Sequence, residues 1–175
     1  SKKSNPTDLV FEQEVNITKP YIDSPIEEQI ESSMLAYGTH IIKDRAIPSA
    51  LDGLKPVQRR ILYSFVHDNN INNLVKLQKA TGSIMGNFHP HGDSSIDGAV
   101  ASMVQPWKNN VPLLVGQGGW GSMGGYNPSA SRYIEVELPN SSADLLFEDL
   151  KKEGVVPWEK NYNNELMEPK LLPVK

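Results

Sequence analysis

The chain has 175 residues, with 17 Lys and Arg against 21 Asp and Glu, and a formal net charge of -4. Nucleic-acid-binding domains are usually basic, so this charge, evenly spread, would argue against one. There is no cysteine, which removes disulfides, thiolate metal sites and cysteine catalysis and fits a reducing compartment.

In chain order, residues 1–23 are polar with scattered apolar side chains and read as an arm. They lack the apolar core of a secretory signal, and no run in the chain approaches the ~18 apolar residues of a membrane helix. Ser24-Pro25-Ile26-Glu27 has the form of a capping box with proline at the first helical position. Ile26, Ile30, Met34, Tyr37 and Ile41 then recur at three- and four-residue spacing, which predicts a helix with one buried face. Arg45-Ala46-Ile47-Pro48 ends it. Pro56 opens a second helix with the stripe Val57, Ile61, Leu62, Phe65 and Val66. A weaker third covers about 74–85. Asn87-Phe88-His89-Pro90-His91-Gly92 is a break. Asp93 can cap a fourth helix whose inner face is Ile96, Ala99, Val100, Met103 and Val104.

Val111 to Val115 reads as a short buried strand, followed by a glycine-rich loop from Gly116 to Gly125. Arg132 to Leu138 alternates, with Ile134, Val136 and Leu138 on one face and Tyr133, Glu135 and Glu137 on the other. A last helix runs from Ser141 or Ser142 to about Glu153 and stops at Gly154. Residues 155–175 hold three prolines and look irregular. Helices followed by two strands predict a mostly α fold with a small β part. The class expected is a winged-helix (helix-turn-helix) domain behind an N-terminal arm.

The charge is unevenly spread. Residues 1–42 carry 3 basic and 7 acidic side chains, residues 43–132 carry 9 and 5, and residues 133–175 carry 5 and 9. A basic middle lies between two acidic ends. Lys43, Arg45, Lys55, Arg59 and Arg60 concentrate its cations. Positive side chains oppose the dipole at a helix N-terminus, so phosphate is the better explanation of Arg59 and Arg60.

Three patterns bear on chemistry. Gly116-Gln117-Gly118-Gly119-Trp120-Gly121 matches G-x-G-x-x-G, but no helix can start after it, so a dinucleotide site is disfavoured. A flexible turn, or a backbone that must pass close to something, fits better. His89-Pro90-His91-Gly92-Asp93 could be part of a metal hydrolase site, which would need further ligands. Placed beside a recognition helix, the two imidazoles could instead meet phosphates. Tyr133 sits beside Arg132 after the glycine loop. A tyrosine nucleophile ordinarily ionises near pH ~10, so it needs a base or metal and nearby cations.

Arg45-Ala46-Ile47-Pro48, Asp52-Gly53-Leu54-Lys55-Pro56-Val57-Gln58-Arg59-Arg60-Ile61-Leu62-Tyr63, Gly86-Asn87-Phe88-His89-Pro90-His91-Gly92-Asp93-Ser94, Gln105-Pro106, Gly116-Gln117-Gly118 and Ser131-Arg132-Tyr133 occur in order. This series resembles the breakage-reunion (A) subunits of type IIA DNA topoisomerases, the gyrase and topoisomerase IV family, over about residues 26–175. The resemblance implies a CAP-like winged-helix domain over 26–155, an arm over 1–25 and the truncated start of a tower domain over 156–175. It implies an ATP-dependent isomerase that passes one DNA duplex through another. Tyr133 would form a transient 5′-phosphotyrosyl link, with Arg132 and Arg45 as further catalytic residues. Lys55, Arg59, Arg60, His89, His91, Ser94, Gln105 and Gly118 would contact DNA. Mg²⁺ would be held by a TOPRIM domain on a B-type partner, which would also use the ATP, so no metal ligand is expected in this chain. A homodimer, a cytoplasmic location and an inactive isolated fragment are further implications. A non-cleaving winged-helix binding module is the alternative, from which a tyrosine beside an arginine on that strand discriminates.

The chain departs from that pattern in places. Gln58 stands where bacterial members usually have His, and Gly119-Trp120 where they have Asn-Phe. The loop from Ser122 to Ala130 differs too. Ser94 is kept, but Gly98 stands where many bacterial enzymes carry an acidic residue. Those two family positions anchor fluoroquinolones through a water-bound metal. Weakened quinolone binding and a phage or unusual bacterial source are expected.

Overall fold

A computed structural model describes residues 24–42, 45, 47–150 and 152–173. The arm expected over 1–25 lies almost wholly outside them. By its internal contacts the chain divides into two units, Ser1–Thr39 and His40–Lys175.

The helix α1 (Ile26–Ile41) forms where the apolar spacing predicts it, but none of its residues is buried. Ile26, Ile30, Met34 and Tyr37 are all exposed. The expected buried face is therefore corrected: periodicity marks a face suited to burial and does not say what covers it. The start of the helix also differs from the expected capping box. The Ser24 hydroxyl donates to Gln29 Oε1 at 3.4 Å, and Pro25 precedes the first helical residue.

The second unit is mostly helical with small antiparallel sheets. Its helices are α2 (Pro56–His67), α3 (Leu77–Asn87), α4 (Asp93–Val104) and α5 (Asn140–Phe147). Pro56 begins α2 as expected, because a first-turn proline loses no helical hydrogen bond. The Gln58 side chain closes that turn by accepting from the Lys55 N–H at 2.9 Å. In α4, Gly92 takes the capping position and Asp93 the first helical one.

Strands β1 (Val75–Lys76), β2 (Val115–Gln117) and β3 (Glu135–Glu137) form one antiparallel sheet in the order β1-β3-β2. Val136 lies at its centre, opposite Val75 on one side and Gly116 on the other. Pairing with β3 takes residues 75–76 out of the third helix, which starts later than expected. The strand predicted over Val111–Val115 moves on to Val115–Gln117, and Val111 is exposed. The strand predicted over Arg132–Leu138 is paired as strand only at Glu135–Glu137. Arg132 and Tyr133 lie in the turn before it. The last helix ends at Phe147, short of Glu153.

The segment expected to be irregular contains a hairpin, β4 (Trp158–Lys160) paired with β5 (Met167–Pro169). The core lies where α2, α3 and α4 meet the three-stranded sheet. Ile61, Leu62, Phe65, Ile84, Ile96, Val100, Leu114, Ile134, Val136 and Leu138 are nearly or wholly inaccessible. Each such side chain stabilises the fold by about 1.5–3 kcal/mol.

Candidate functional site

Tyr133 is exposed, on a turn tied down from two directions. Its own N–H donates to the Ala130 carbonyl at 2.9 Å, and the Gln78 N–H at the start of α3 donates to the Ser131 carbonyl at 3.3 Å. Ile134, the next residue, is buried in the core. The Arg132 guanidinium lies 4.9 Å from the centre of the Tyr133 ring. A phenol is thus held in solvent beside a cation, on a backbone that rigid elements position.

A second feature is a cavity of about 790 Å³ in the same unit. Its walls include Arg45, Arg59, Arg60, His89, His91 and Lys170, with Glu159 and Glu168 from the hairpin. Among the described residues, Tyr133, Arg132, Lys55, Ser94, Gln105 and Gly118 are not part of its lining. The fold therefore gathers Arg45, Arg60 and the two histidines and sets the tyrosine apart from them.

The neighbours Arg59 and Arg60 have different fates. Arg59 is buried and gives its guanidinium to Asp52, with Nε to Oδ2 at 2.7 Å and Nη2 to Oδ1 at 2.9 Å. Its Nη2 also reaches the Leu54 carbonyl at 3.3 Å. Asp52 further accepts from the Leu54 and Leu172 N–H groups, both at 3.0 Å. Burial would raise the Asp52 carboxyl; the hydrogen bonds from Arg59, Leu172 and Leu54, with the charge of Arg59, outweigh it and hold it below its ordinary value. This bidentate pair explains the cation at the start of α2 without a phosphate. Arg60 faces the cavity and keeps a quarter of its side chain exposed, 26 %. Its Nε and Nη2 both meet Glu168 Oε1, at 2.9 and 2.8 Å.

His89 is buried. Its Nδ1 lies 3.5 Å from Arg60 Nη1. Burial lowers the imidazole to about 4, and the nearby His91, Arg60 and Arg45 push the same way. The ring is therefore neutral near pH 7. Arginine can only donate, so Nδ1 is the accepting nitrogen and Nε2 carries the proton. His91 is exposed, its ring centre 4.7 Å from that of His89. Asp93 accepts instead from the Ser94 N–H at 2.7 Å. Among the described residues no three His, Asp or Glu side chains gather to hold a metal ion. The hydrolase option thus has no ligand set there.

Gln105 is buried and donates through Nε2 to the Trp120 carbonyl at 2.7 Å, so it braces the glycine loop from inside. Gly116 shows why that loop needs glycine. A Cβ there would lie 2.2 Å from Trp120 Nε1 and 2.7 Å from Val104. The close approach is to the protein's own core. Gly118 is exposed, with φ of +104°. Ser94 is exposed in the first turn of α4. Lys55 is half-buried at the cap of α2.

The sequence profile of the DNA gyrase/topoisomerase IV A subunits matches residues 45–175. The chain belongs to this family. It is 48% identical over 139 residues to the DNA topoisomerase 4 A subunit of Streptococcus pneumoniae, covering 78% of this chain and 17% of that protein. It is 42% identical over 152 residues to the DNA gyrase A subunit of Haemophilus influenzae, covering 86% and 17%. It is 43% identical over 153 residues to the DNA topoisomerase 4 A subunit of Bacillus subtilis, covering 86% and 19%. The chain thus spans under a fifth of the length of these curated relatives. The matched span contains Tyr133 and most of the cavity wall.

Sequence reasoning missed Asp52 and Glu168 as partners of the two arginines. Asp52-Gly53 signals a turn, and an aspartate there can accept from the N–H two residues on. Nothing local marks Glu168, which comes from a segment read as irregular.

Proposed function

We propose that this chain is the DNA-cleaving winged-helix part of an ATP-dependent type IIA topoisomerase, from its breakage-reunion subunit, with Tyr133 as its nucleophile. The observation that carries this is the exposed phenol of Tyr133, fixed on a braced turn with Arg132 beside it. In the reaction, Tyr133 Oη loses its proton as it attacks a backbone phosphorus. The P–O3′ bond breaks and the 3′ oxygen takes up a proton. The products are a 5′-phosphotyrosyl ester and a free 3′-OH. The ester keeps the energy of the bond, so the reverse attack reseals the strand without a ligase.

Arg132 stabilises charge on the phosphate. Arg45, Arg60, His89 and His91 line a cavity suited to the backbone of a cleaved strand. Neutral His89 offers one N–H, as a hydrogen-bond donor and not a charge. Arg59 and Gln105 serve the site by bracing its loops. Lys55, Ser94 and Gly118 lie outside the cavity and contact DNA along the basic middle of the chain. The metal that such a reaction uses is Mg²⁺, which supplies charge to the phosphate when bound. By the family resemblance, a TOPRIM domain on a B-type partner holds it, and the same partner uses the ATP. Because Tyr133 does not line the cavity, a homodimer suits the reading: the tyrosine of one protomer serves a strand held by the other. Residues 26–155 are the winged helix and 156–175 the start of a tower domain. The location is cytoplasmic.

The test mixes the full-length protein with its B partner, Mg²⁺ and supercoiled DNA, and traps the products with detergent. Protein linked to 5′ ends is expected, and Tyr133→Phe abolishes it. An adduct that survives the substitution overturns the assignment.

A further inference from the structure

The hairpin of β4 and β5 bears on the cavity from 74 to 108 residues down the chain. Glu168 on β5 meets Arg60. Asn161 donates to the Asn87 carbonyl at 2.6 Å, and the Tyr162 hydroxyl donates to the Gly86 carbonyl at 2.6 Å. These are the residues that lead into His89 and His91. One hairpin therefore grips both the helix that carries Arg60 and the loop that carries the histidines.

Glu168 is an expensive way to hold a hairpin. The residue is 2 % exposed, and its Oε2 has no hydrogen-bond partner among the described residues. Burial raises its carboxyl above the ordinary value, and Arg60 opposes this without cancelling it. A buried carboxylate with one oxygen unmet costs stability, and a well-packed apolar residue would often serve better. The hairpin has other anchors: the Asn161 and Tyr162 bonds, and the Leu172 N–H on Asp52.

The geometry on Arg60 explains the cost. The guanidinium has three nitrogens. Glu168 takes Nε and Nη2 through a single oxygen, which leaves Nη1 facing His89. An arginine side chain carries large rotamer freedom, and a free one would sweep the cavity.

We propose that Glu168 is a positioning residue: it sets the Arg60 guanidinium against His89, so that the pair meets a DNA phosphate as one preset surface. The inference rests on the cleavage function proposed above. Pre-placed donors stabilise developing charge without reorganising at the moment of reaction, so the benefit falls on the cleavage step more than on DNA affinity.

The test uses the full-length protein with its B partner and measures DNA affinity and the covalently linked fraction at saturating DNA, for wild type, Arg60→Ala, Glu168→Gln and the double variant. Glu168→Gln is expected to lower cleavage about tenfold while DNA Kd moves less than about twofold. In the Arg60→Ala background, Glu168→Gln should add no further loss, because coupled residues are not additive. Losses that multiply in the double variant assign Glu168 a purely structural role and overturn the proposal. So does full cleavage by Glu168→Gln when Arg60→Ala is impaired. Full cleavage by Arg60→Ala would instead remove Arg60 from the cleavage machinery, and with it the basis of the inference, while the Tyr133→Phe result judges the cleavage function separately. If Glu168→Gln loses its cooperative melting, Glu168→Asp is read in its place, with the same two outcomes.

Discussion

Asp52 and Arg59 form a bidentate ion pair at 2.7 and 2.9 Å, with the Asp52 carboxylate wholly inaccessible to solvent. The pair joins the loop before α2 to α2 itself, and through the Leu172 N–H to the chain after the hairpin. Removing one partner leaves the other charge buried. Asp52→Ala should therefore cost about 3–5 kcal/mol in urea unfolding. Replacing both residues by apolar ones of similar volume should recover most of that. A single-variant loss under about 1 kcal/mol would mean that water reaches Arg59.

Arg132 is exposed beside Tyr133, and the proposed cleavage gives it a chemical role. Arg132→Ala should leave the melting temperature unchanged. The covalently linked fraction should fall about a hundredfold, as for the loss of one donor to a developing anion. Normal cleavage would dismiss Arg132 from the mechanism.

His89 gives a pH signature. Its imidazole is held down to about 4 in the folded protein, against about 6.5 in an unfolded chain. Between those values the unfolded chain binds a proton that the native ring refuses. The contribution is therefore present above pH ~6.5 and lost as pH falls toward 4. Between pH 7 and 4.5, wild type should lose about 2–3 kcal/mol more stability than His89→Gln, by denaturant titration. Equal losses would place the acid sensitivity elsewhere.

Two glycines should respond oppositely to alanine. A Cβ at Gly116 would meet the Trp120 ring at 2.2 Å, so Gly116→Ala should destabilise by about 1–3 kcal/mol through overpacking. A Cβ at Gly98, in the middle of α4, meets nothing within 4 Å. Gly98→Ala should stabilise by up to about 1 kcal/mol. Thermal melting of both variants checks this.

Gly98 also bears on drug response. The adjacent acid, Asp97, accepts from the Thr81 hydroxyl at 2.6 Å and is tied to α3. It does not replace a carboxylate at position 98. Fluoroquinolone-stabilised cleavage should be weak, and Gly98→Asp should lower the drug concentration needed by about tenfold, worth about 1.4 kcal/mol of binding. Ordinary sensitivity in the unaltered protein would contradict the expectation.

The helices over 56–67 and 93–104 were legible because their signals are local: a proline at the first turn of one, and an apolar period of 3.6 in both. The end of the strand at Tyr133 was not. Alternation continues through Arg132 and Tyr133, but among the described residues the paired strand begins at Glu135, and a partner is a tertiary fact. The hairpin at 158–169 escaped notice because its strands are three residues each, too short for a period to register.

The sequence by itself determined the family, the order of the motifs and the basic stretch between acidic ends, since these depend on residue identity and spacing alone. It could not separate Arg59 from Arg60. The two are adjacent cations about 100° apart around a helix, and only the fold turns one onto buried Asp52 and the other into a cavity against Glu168 and His89. Nor could it say that the apolar stripe of α1 has no buried residue. Burial and the choice of an ionic partner depend on which groups approach through space, and the ionic partner of Arg60 lies 108 positions away along the chain.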